Sequence, residues 1–249
     1  MSDLYLLVCE GPTDIEIIKA VAAKISQIKG RDIEIRELSP TRDATTKRYP
    51  EHGWKGVRGW CRLYGDGVRV GAHQNAAMAN AMLDAFALNK AKNSKNWRAL
   101  VAIEKAKGVI IQMDTDIAHD LNVNGLRGVS GDRAHCHAAI SNWLGLTENA
   151  ENLYYLLPSF ATENWILAMH DESDAIFNGM PRPINYESIS EPCDVMVSGG
   201  YKSYFSKRKQ KHVLDKDCDL YKKYGEQIGN KIDVVKSRCA EFDALCKHL

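Results

Sequence analysis

No apolar run in this chain is long enough to cross a membrane. The one beginning at Leu4 stops at Cys9 before Glu10, far short of the ~20 residues that a helical span requires. Met1-Ser2-Asp3 lacks the basic n-region of a secretory signal. The chain has no excess of either charge: 33 basic residues oppose 32 acidic ones, a formal net charge of +1. A global cationic field is therefore excluded as the means of finding a polyanion, and any nucleic-acid surface must be a local patch. The seven cysteines are odd in number and include no C-x-x-C pair, which excludes a disulfide framework and a zinc ribbon and points to a reducing compartment. There is no G-x-x-x-x-G-K-[ST]: in Gly199-Gly200-Tyr201-Lys202-Ser203 a tyrosine precedes the lysine where a phosphate loop needs glycine. Internal repeats and low-complexity tracts are also missing. The expectation is a soluble cytoplasmic protein that does not itself hydrolyse ATP.

What is present is ordinary globular material, 249 residues with 45% apolar, 26% charged and 8% aromatic side chains. Leu4 to Cys9 reads as a strand buried on both faces. Glu10-Gly11-Pro12-Thr13-Asp14 then leads into a helix whose apolar residues (Ile15, Ile17, Ile18, Val21, Ala22, Ile25) recur at helical spacing, with Thr13 and Glu16 as a capping box. Asp32 to Leu38 alternates like a half-exposed strand. From Pro40 to about Gly71 regularity dissolves into an irregular loop or insertion, and Ala72 to about Lys92 reads as helix. Gly108 to Met113 is a second buried strand, Gly131 to Leu144 a helix, Leu153 to Leu157 a third strand, and Thr162 to Met169 the start of another helix. A C-terminal extension over 171–249 closes with a helix from about Lys231 to Leu249. The pattern predicts a single α/β domain over 1–249, with a mostly parallel sheet flanked by helices.

Two of the buried strands end in carboxylates: Glu10 after the first, Asp114 and Asp116 after the second. In a parallel sheet the carboxyl ends of the strands share one rim, where ligands bind. If the second strand continued through Asp-Thr-Asp, its alternation would point Asp114 and Asp116 the same way. Asp14, four residues beyond Glu10, can approach the same rim. Taken singly, each acid suits an ordinary capping role, and Asp14 is favourable at a helix start in any case. Together they would repel one another unless a divalent cation neutralised them. Hard oxygen donors without a cysteine or histidine cage select Mg²⁺ or Mn²⁺.

Leu4 to Ile25 with E-G-P-T-D, followed by Gly108 to Asp116 ending in D-T-D, resembles a TOPRIM domain, the metal-binding fold of topoisomerases, primases and OLD-family nucleases. Thr162-Glu163-Asn164-Trp165-Ile166-Leu167-Ala168 resembles the E-x-W segment of small stand-alone OLD-like TOPRIM proteins. Ser198 to Ser203 matches their lysine-bearing segment, and Arg238 to Leu249 resembles their C-terminal end. The resemblance implies a Rossmann-like TOPRIM sheet. It implies Glu10, Asp14, Asp114, Asp116 and Glu163 as ligands of two Mg²⁺ or Mn²⁺ ions, and Lys202 as the lysine that stabilises the transition state. Position 14 holds Asp where OLD nucleases commonly carry Glu. The implied activity is a two-metal nuclease acting on DNA or RNA phosphodiesters. Such proteins accompany an ABC-type ATPase in anti-phage defence, and the PARIS-type systems extend the substrate to tRNA. A non-catalytic subunit of the same fold docking on an ATPase is the alternative, and RNA processing by another TOPRIM activity a third. Homo-oligomerisation stays open.

Outside these motifs, Arg48, Lys55, Arg58 and Arg62 are interleaved with Tyr49, Trp54, Trp60 and Tyr64, and Lys207, Arg208, Lys209 and Lys211 form a second basic run. Cations suit phosphates and aromatics can stack on bases. A partner-protein surface would use Trp and Arg equally well. His119-Asp120 follows a strand, unlike the all-helical HD phosphohydrolases. His135 and His137, two apart on a helix, face different ways.

Overall fold

The run Leu4–Cys9 forms strand β1 (Asp3–Val8), whose side chains alternate between two cores. Tyr5 and Leu7 join one, and Leu4, Leu6 and Val8 the other. The computed structural model describes residues 2–46, 49–50, 52–66, 96–123, 125–129, 131–148 and 150–249. Helix α1 (Pro12–Lys29) follows and stops at Gly30, which takes the left-handed conformation at φ 62°. The Thr13–Glu16 capping box does not form. Gly11 is the cap residue and no side chain bonds the free N–H groups. Pro12 is the physical reason, because its fixed φ and missing N–H suit the first helical position and start the helix ahead of Thr13.

Strand β2 (Ile33–Ser39) pairs parallel with β1. The expected irregular insertion 40–71 is corrected in its middle, where Gly53–Tyr64 forms helix α2. Gly56, Val57, Trp60 and Cys61 make its buried face, and that stripe outweighs the low helix propensity of its glycines. The helix expected over Ala72 to Lys92 lies outside the described residues.

Asn96 caps helix α3 (Trp97–Glu104) by accepting from the Arg98 N–H at 2.8 Å. Strand β3 (Gly108–Gln112) is fully buried. A small hairpin of β4 (Asn122–Val123) and β5 (Leu126–Arg127) precedes helix α4 (Arg133–Leu144), capped by Asp132. Strand β6 (Leu153–Leu156) completes the sheet, and the short helix α5 (Glu163–Leu167) follows it. Further along lie α6 (Pro192–Ser198) and an antiparallel hairpin of β7 (Ser203–Ser206) and β8 (Lys211–Leu214). Helices α7 (Cys218–Asn230), α8 (Ile232–Arg238) and α9 (Ala240–His248) close the chain. The single terminal helix expected from Lys231 to Leu249 is therefore two. They part at Cys239, whose backbone is extended and whose thiol is buried.

The main sheet has four parallel strands in the order β2-β1-β3-β6. From β1 the chain runs through α1 to β2 on one side and later returns to β3 on the other, which makes the carboxyl ends of β1 and β3 a topological switch point. On one face α1, α5 and α7–α9 supply the core, including Ile17, Trp165, Tyr221 and Phe242. On the other face α2, α3 and α4 supply Val57, Trp97 and Ile140. Helices α1 and α7 approach closely at Gly225, where a Cβ would stand 2.7 Å from that of Ala20.

Candidate metal centre

Glu10 and Asp114 lie just past the ends of β1 and β3, and one side chain joins the two strand ends. Gln112, the last residue of β3, is fully buried. Its Oε1 accepts from the Glu10 backbone N–H at 3.1 Å and its Nε2 donates to Asp114 Oδ1 at 2.8 Å. Asp14 sits buried in the first turn of α1, where its Oδ1 accepts from Thr162 Oγ1 at 2.6 Å. The next residue, Glu163, opens α5 with its side chain only 1% exposed. Its Oε1 accepts from Tyr221 Oη at 2.6 Å and pairs with Lys216 Nζ at 2.8 Å. Glu10, Asp14, Asp114, His52 and Lys216 line one cleft of about 230 Å³.

The acids act on one another. Burial, then Asp14 and Asp116, push the Glu10 carboxyl well above the ordinary glutamate range. Burial, then Glu163, raise Asp14 to about 6 against the pull of Lys216 and Thr162. Asp114 is raised by burial, Asp14 and Glu10, and Asp116 by burial and Glu163. Glu163 moves the other way. Burial works against its charge, but Lys216 and the Tyr221 hydroxyl outweigh it and hold the carboxyl below its usual range. The Lys216 ammonium is correspondingly held charged, chiefly by Glu163. One acid thus pairs directly with a half-exposed lysine, while for Glu10, Asp14 and Asp114 burial and like charge outweigh the more distant pull of that lysine.

Two oxygens bear on whether a metal fits: Glu10 Oε1 and Glu163 Oε2 are buried with no hydrogen-bond partner. Buried carboxylate oxygens are costly unless something satisfies them. An all-oxygen set of this kind matches the donor preference of Mg²⁺ or Mn²⁺. Among the described residues no three His, Cys, Asp or Glu side chains are drawn together into a ready coordination group.

Strand β3 stops at Gln112, so the alternation expected to aim Asp114 and Asp116 alike does not apply. Both lie in the turn that follows, where the Asp116 N–H donates to the Phe160 carbonyl at 3.1 Å. Asp114 lines the cleft, and Asp116 interacts with it through its charge. Lys202 does not reach this group. Its side chain is 66% exposed and pairs with Asp215 at 2.8 Å. The lysine beside the acids is Lys216, which no local pattern in Asp215-Lys216-Asp217 marked out. Gln112 did carry a signal, as an amide inside the apolar run Gly108 to Met113. Thr162 and Tyr221 had none that local spacing could reveal.

Of the basic candidates, Arg48 lies outside the described residues. Lys55, Arg58 and Arg62 are on α2, and its tryptophans are engaged in packing. Trp54 stacks on Trp143 at 6.3 Å with the Arg58 guanidinium 4.9 Å from its ring, and Trp60 is buried against Tyr64. These indoles are therefore committed to the core and its edge. Lys207 and Arg208 sit at the turn of the β7–β8 hairpin. His119 and Asp120 occupy an exposed turn, and His135 and His137 face different partners, the Leu121 carbonyl and the Tyr155 ring. No helix among the described residues is long and apolar enough to cross a membrane. The chain matches no known family, curated protein or solved structure with which it was compared.

Proposed function

We propose that this chain is a divalent-metal-dependent nuclease that hydrolyses phosphodiester bonds of DNA or RNA. The observation that carries the reading is the group of Glu10, Asp14 and Asp114 at the switch point of a parallel sheet, joined to Glu163 by charge and faced by Lys216. With it goes the resemblance of the E-G-P-T-D, D-T-D and E-x-W segments to TOPRIM nucleases. That resemblance extends the proposal to an effector controlled by an ABC-type ATPase partner in anti-phage defence.

In this reading Glu10, Asp14, Asp114 and Glu163 hold Mg²⁺ or Mn²⁺, with Asp116 in support. The bound ions supply an activated water and stabilise charge on the phosphoryl and leaving oxygens. The protein's own part is orientation. Gln112 fixes the Asp114 carboxylate relative to the end of β1, and Thr162 fixes Asp14. Tyr221 and Lys216 keep Glu163 ionised despite its burial. Lys216, half-exposed at the cleft wall, brings a positive charge to where the phosphate would sit, the role that the resemblance implies for Lys202.

The test is cleavage of plasmid DNA, single-stranded DNA and bulk tRNA with Mg²⁺, Mn²⁺ or EDTA. Wild type is compared with Asp114→Ala, Lys216→Ala and Lys202→Ala. Metal-dependent cleavage lost in Asp114→Ala and Lys216→Ala is the expected result. If no nucleic acid is cut and no Mn²⁺ binds, the reading fails and a docking subunit of the same fold takes its place.

A further inference from the structure

The run Lys207-Arg208-Lys209 lies at the tip of a two-stranded ribbon that stands largely clear of both cores. Tyr204 is 56% exposed and Phe205 52% exposed. Adjacent residues of a strand point to opposite faces, so each face of the ribbon presents an aromatic ring to solvent. Across the ladder Tyr204 pairs with Val213 and Phe205 with His212, whose ring lies 5.6 Å from that of Phe205.

An isolated hairpin is marginal in water, and this one is anchored at its base and side. The Asp215 N–H donates to the Lys202 carbonyl at 2.9 Å, the Lys202 ammonium pairs with the Asp215 carboxylate, and Lys211 pairs with Asp194 at 2.6 Å. Those bridges neutralise Lys202 and Lys211. Lys207, Arg208 and Lys209 form no ion pair among the described residues, and they concentrate three positive charges on a chain of net charge +1. The strand that leaves this tip runs through Leu214 and Asp215 directly to Lys216 in the acid cleft.

From the free cations, the exposed rings and this continuity with the cleft, we infer that the β7–β8 hairpin is a binding arm for single-stranded nucleic acid. Lys207, Arg208 and Lys209 hold the phosphates, bases stack on Tyr204 and Phe205, and the strand is led toward Lys216. Cationic tips with exposed aromatics suit single strands, because every unpaired base offers a face for stacking and the backbone needs only charge. The inference rests on the nuclease reading for its purpose but not for its measurement.

Binding of a fluorescent single-stranded oligonucleotide, as DNA and as RNA, is measured by anisotropy in EDTA, where no turnover occurs. The expected result is salt-sensitive binding, with a slope of log K against log salt that falls by about 2 when Lys207, Arg208 and Lys209 are changed together to Glu. The double variant Tyr204→Ala with Phe205→Ala is expected to lose about tenfold or more in affinity at unchanged slope. Thermal melting checks that both variants stay folded, as expected from the exposure of every altered residue. Absence of binding by wild type overturns the inference. So does binding that ignores the two rings, or a matched duplex that binds as tightly as the single strand. Binding that persists while no metal supports cleavage would instead count against the nuclease reading alone.

Discussion

Lys216 holds its ammonium 2.8 Å from Glu163 Oε1, although Lys216 is half-exposed and Glu163 is sealed inside the protein. The pair ties the segment after β8 to the start of α5 and, with the Tyr221 hydroxyl, holds the Glu163 carboxyl below its usual range against the upward push of burial. Each neighbouring acid, lacking such a partner, is pushed the other way.

Lys216→Ala leaves the Glu163 carboxylate buried without its cation, with the Tyr221 hydroxyl still donating to it. It is expected to cost about 1–3 kcal/mol of stability, the penalty of an uncompensated buried polar group, and to lower nuclease turnover about 100-fold or more. Lys202→Ala, which breaks only an exposed pair, is expected to cost under about 1 kcal/mol. Urea titration and initial cleavage rates, run on both variants, separate the two lysines. Equal loss of activity in both would return the catalytic role to Lys202.

Divalent cation is expected to raise the melting temperature. An ion at a hundred times its dissociation constant adds about 2.7 kcal/mol, which for a chain of this size corresponds to about 5–10 °C. EDTA should reverse the gain, and Asp114→Asn should abolish it. A melting curve indifferent to Mg²⁺ and Mn²⁺ would show that the cleft holds neither ion.

Gln112→Leu keeps the volume of the side chain and removes both of its hydrogen bonds, leaving the Glu10 N–H and Asp114 Oδ1 without that partner. The expected loss is about 1–3 kcal/mol, together with weaker Mn²⁺ binding. Chemical denaturation and calorimetric titration check the two effects separately. Intact metal affinity in the variant would mean that Asp114 does not depend on the amide for its position.

Away from the cleft, Glu241 lies 3.4 Å from Arg133, whose guanidinium is already engaged with Glu187 at 2.6 Å. Burial raises the Glu241 carboxyl above its ordinary value of 4.5, with Arg133 opposing and Glu187 assisting. A raised folded-state value means that ionising Glu241 costs the folded protein more than the unfolded chain. Its penalty is absent below pH 4.5 and grows as pH rises through the folded-state value. Glu241→Gln should therefore melt above wild type at pH 7, with the gap closing as pH falls below 4.5. A gap that widened toward acid would reverse the sign and refute the argument.

The legible elements were those whose signal is local. The runs Leu4 to Cys9 and Gly108 to Met113 have the short, continuous apolar pattern of strands buried on both faces, and α1 carries its apolar spacing over five turns. Helix α2 is masked along the sequence by its glycines and cations, although Val57, Trp60 and Cys61 hold the periodicity of a buried face. The β7–β8 hairpin escaped because Ser-Tyr-Phe-Ser does not alternate, its two rings facing solvent on either side. The break at Cys239 turns on the packing of one thiol, which no propensity records.

By itself the sequence determined the alternation of strand and helix, and it determined that carboxylates follow two buried strands. Both are consequences of side-chain period and of the cost of burying charge inside a strand. Tertiary structure alone decided which cation the acids would meet. Along the chain the resemblance points to Lys202 and nothing local points to Lys216, yet Lys202 turns toward Asp215 and solvent and Lys216 toward Glu163, on either side of the hairpin between them. That choice depends on contacts between segments far apart in sequence, and no local periodicity encodes them.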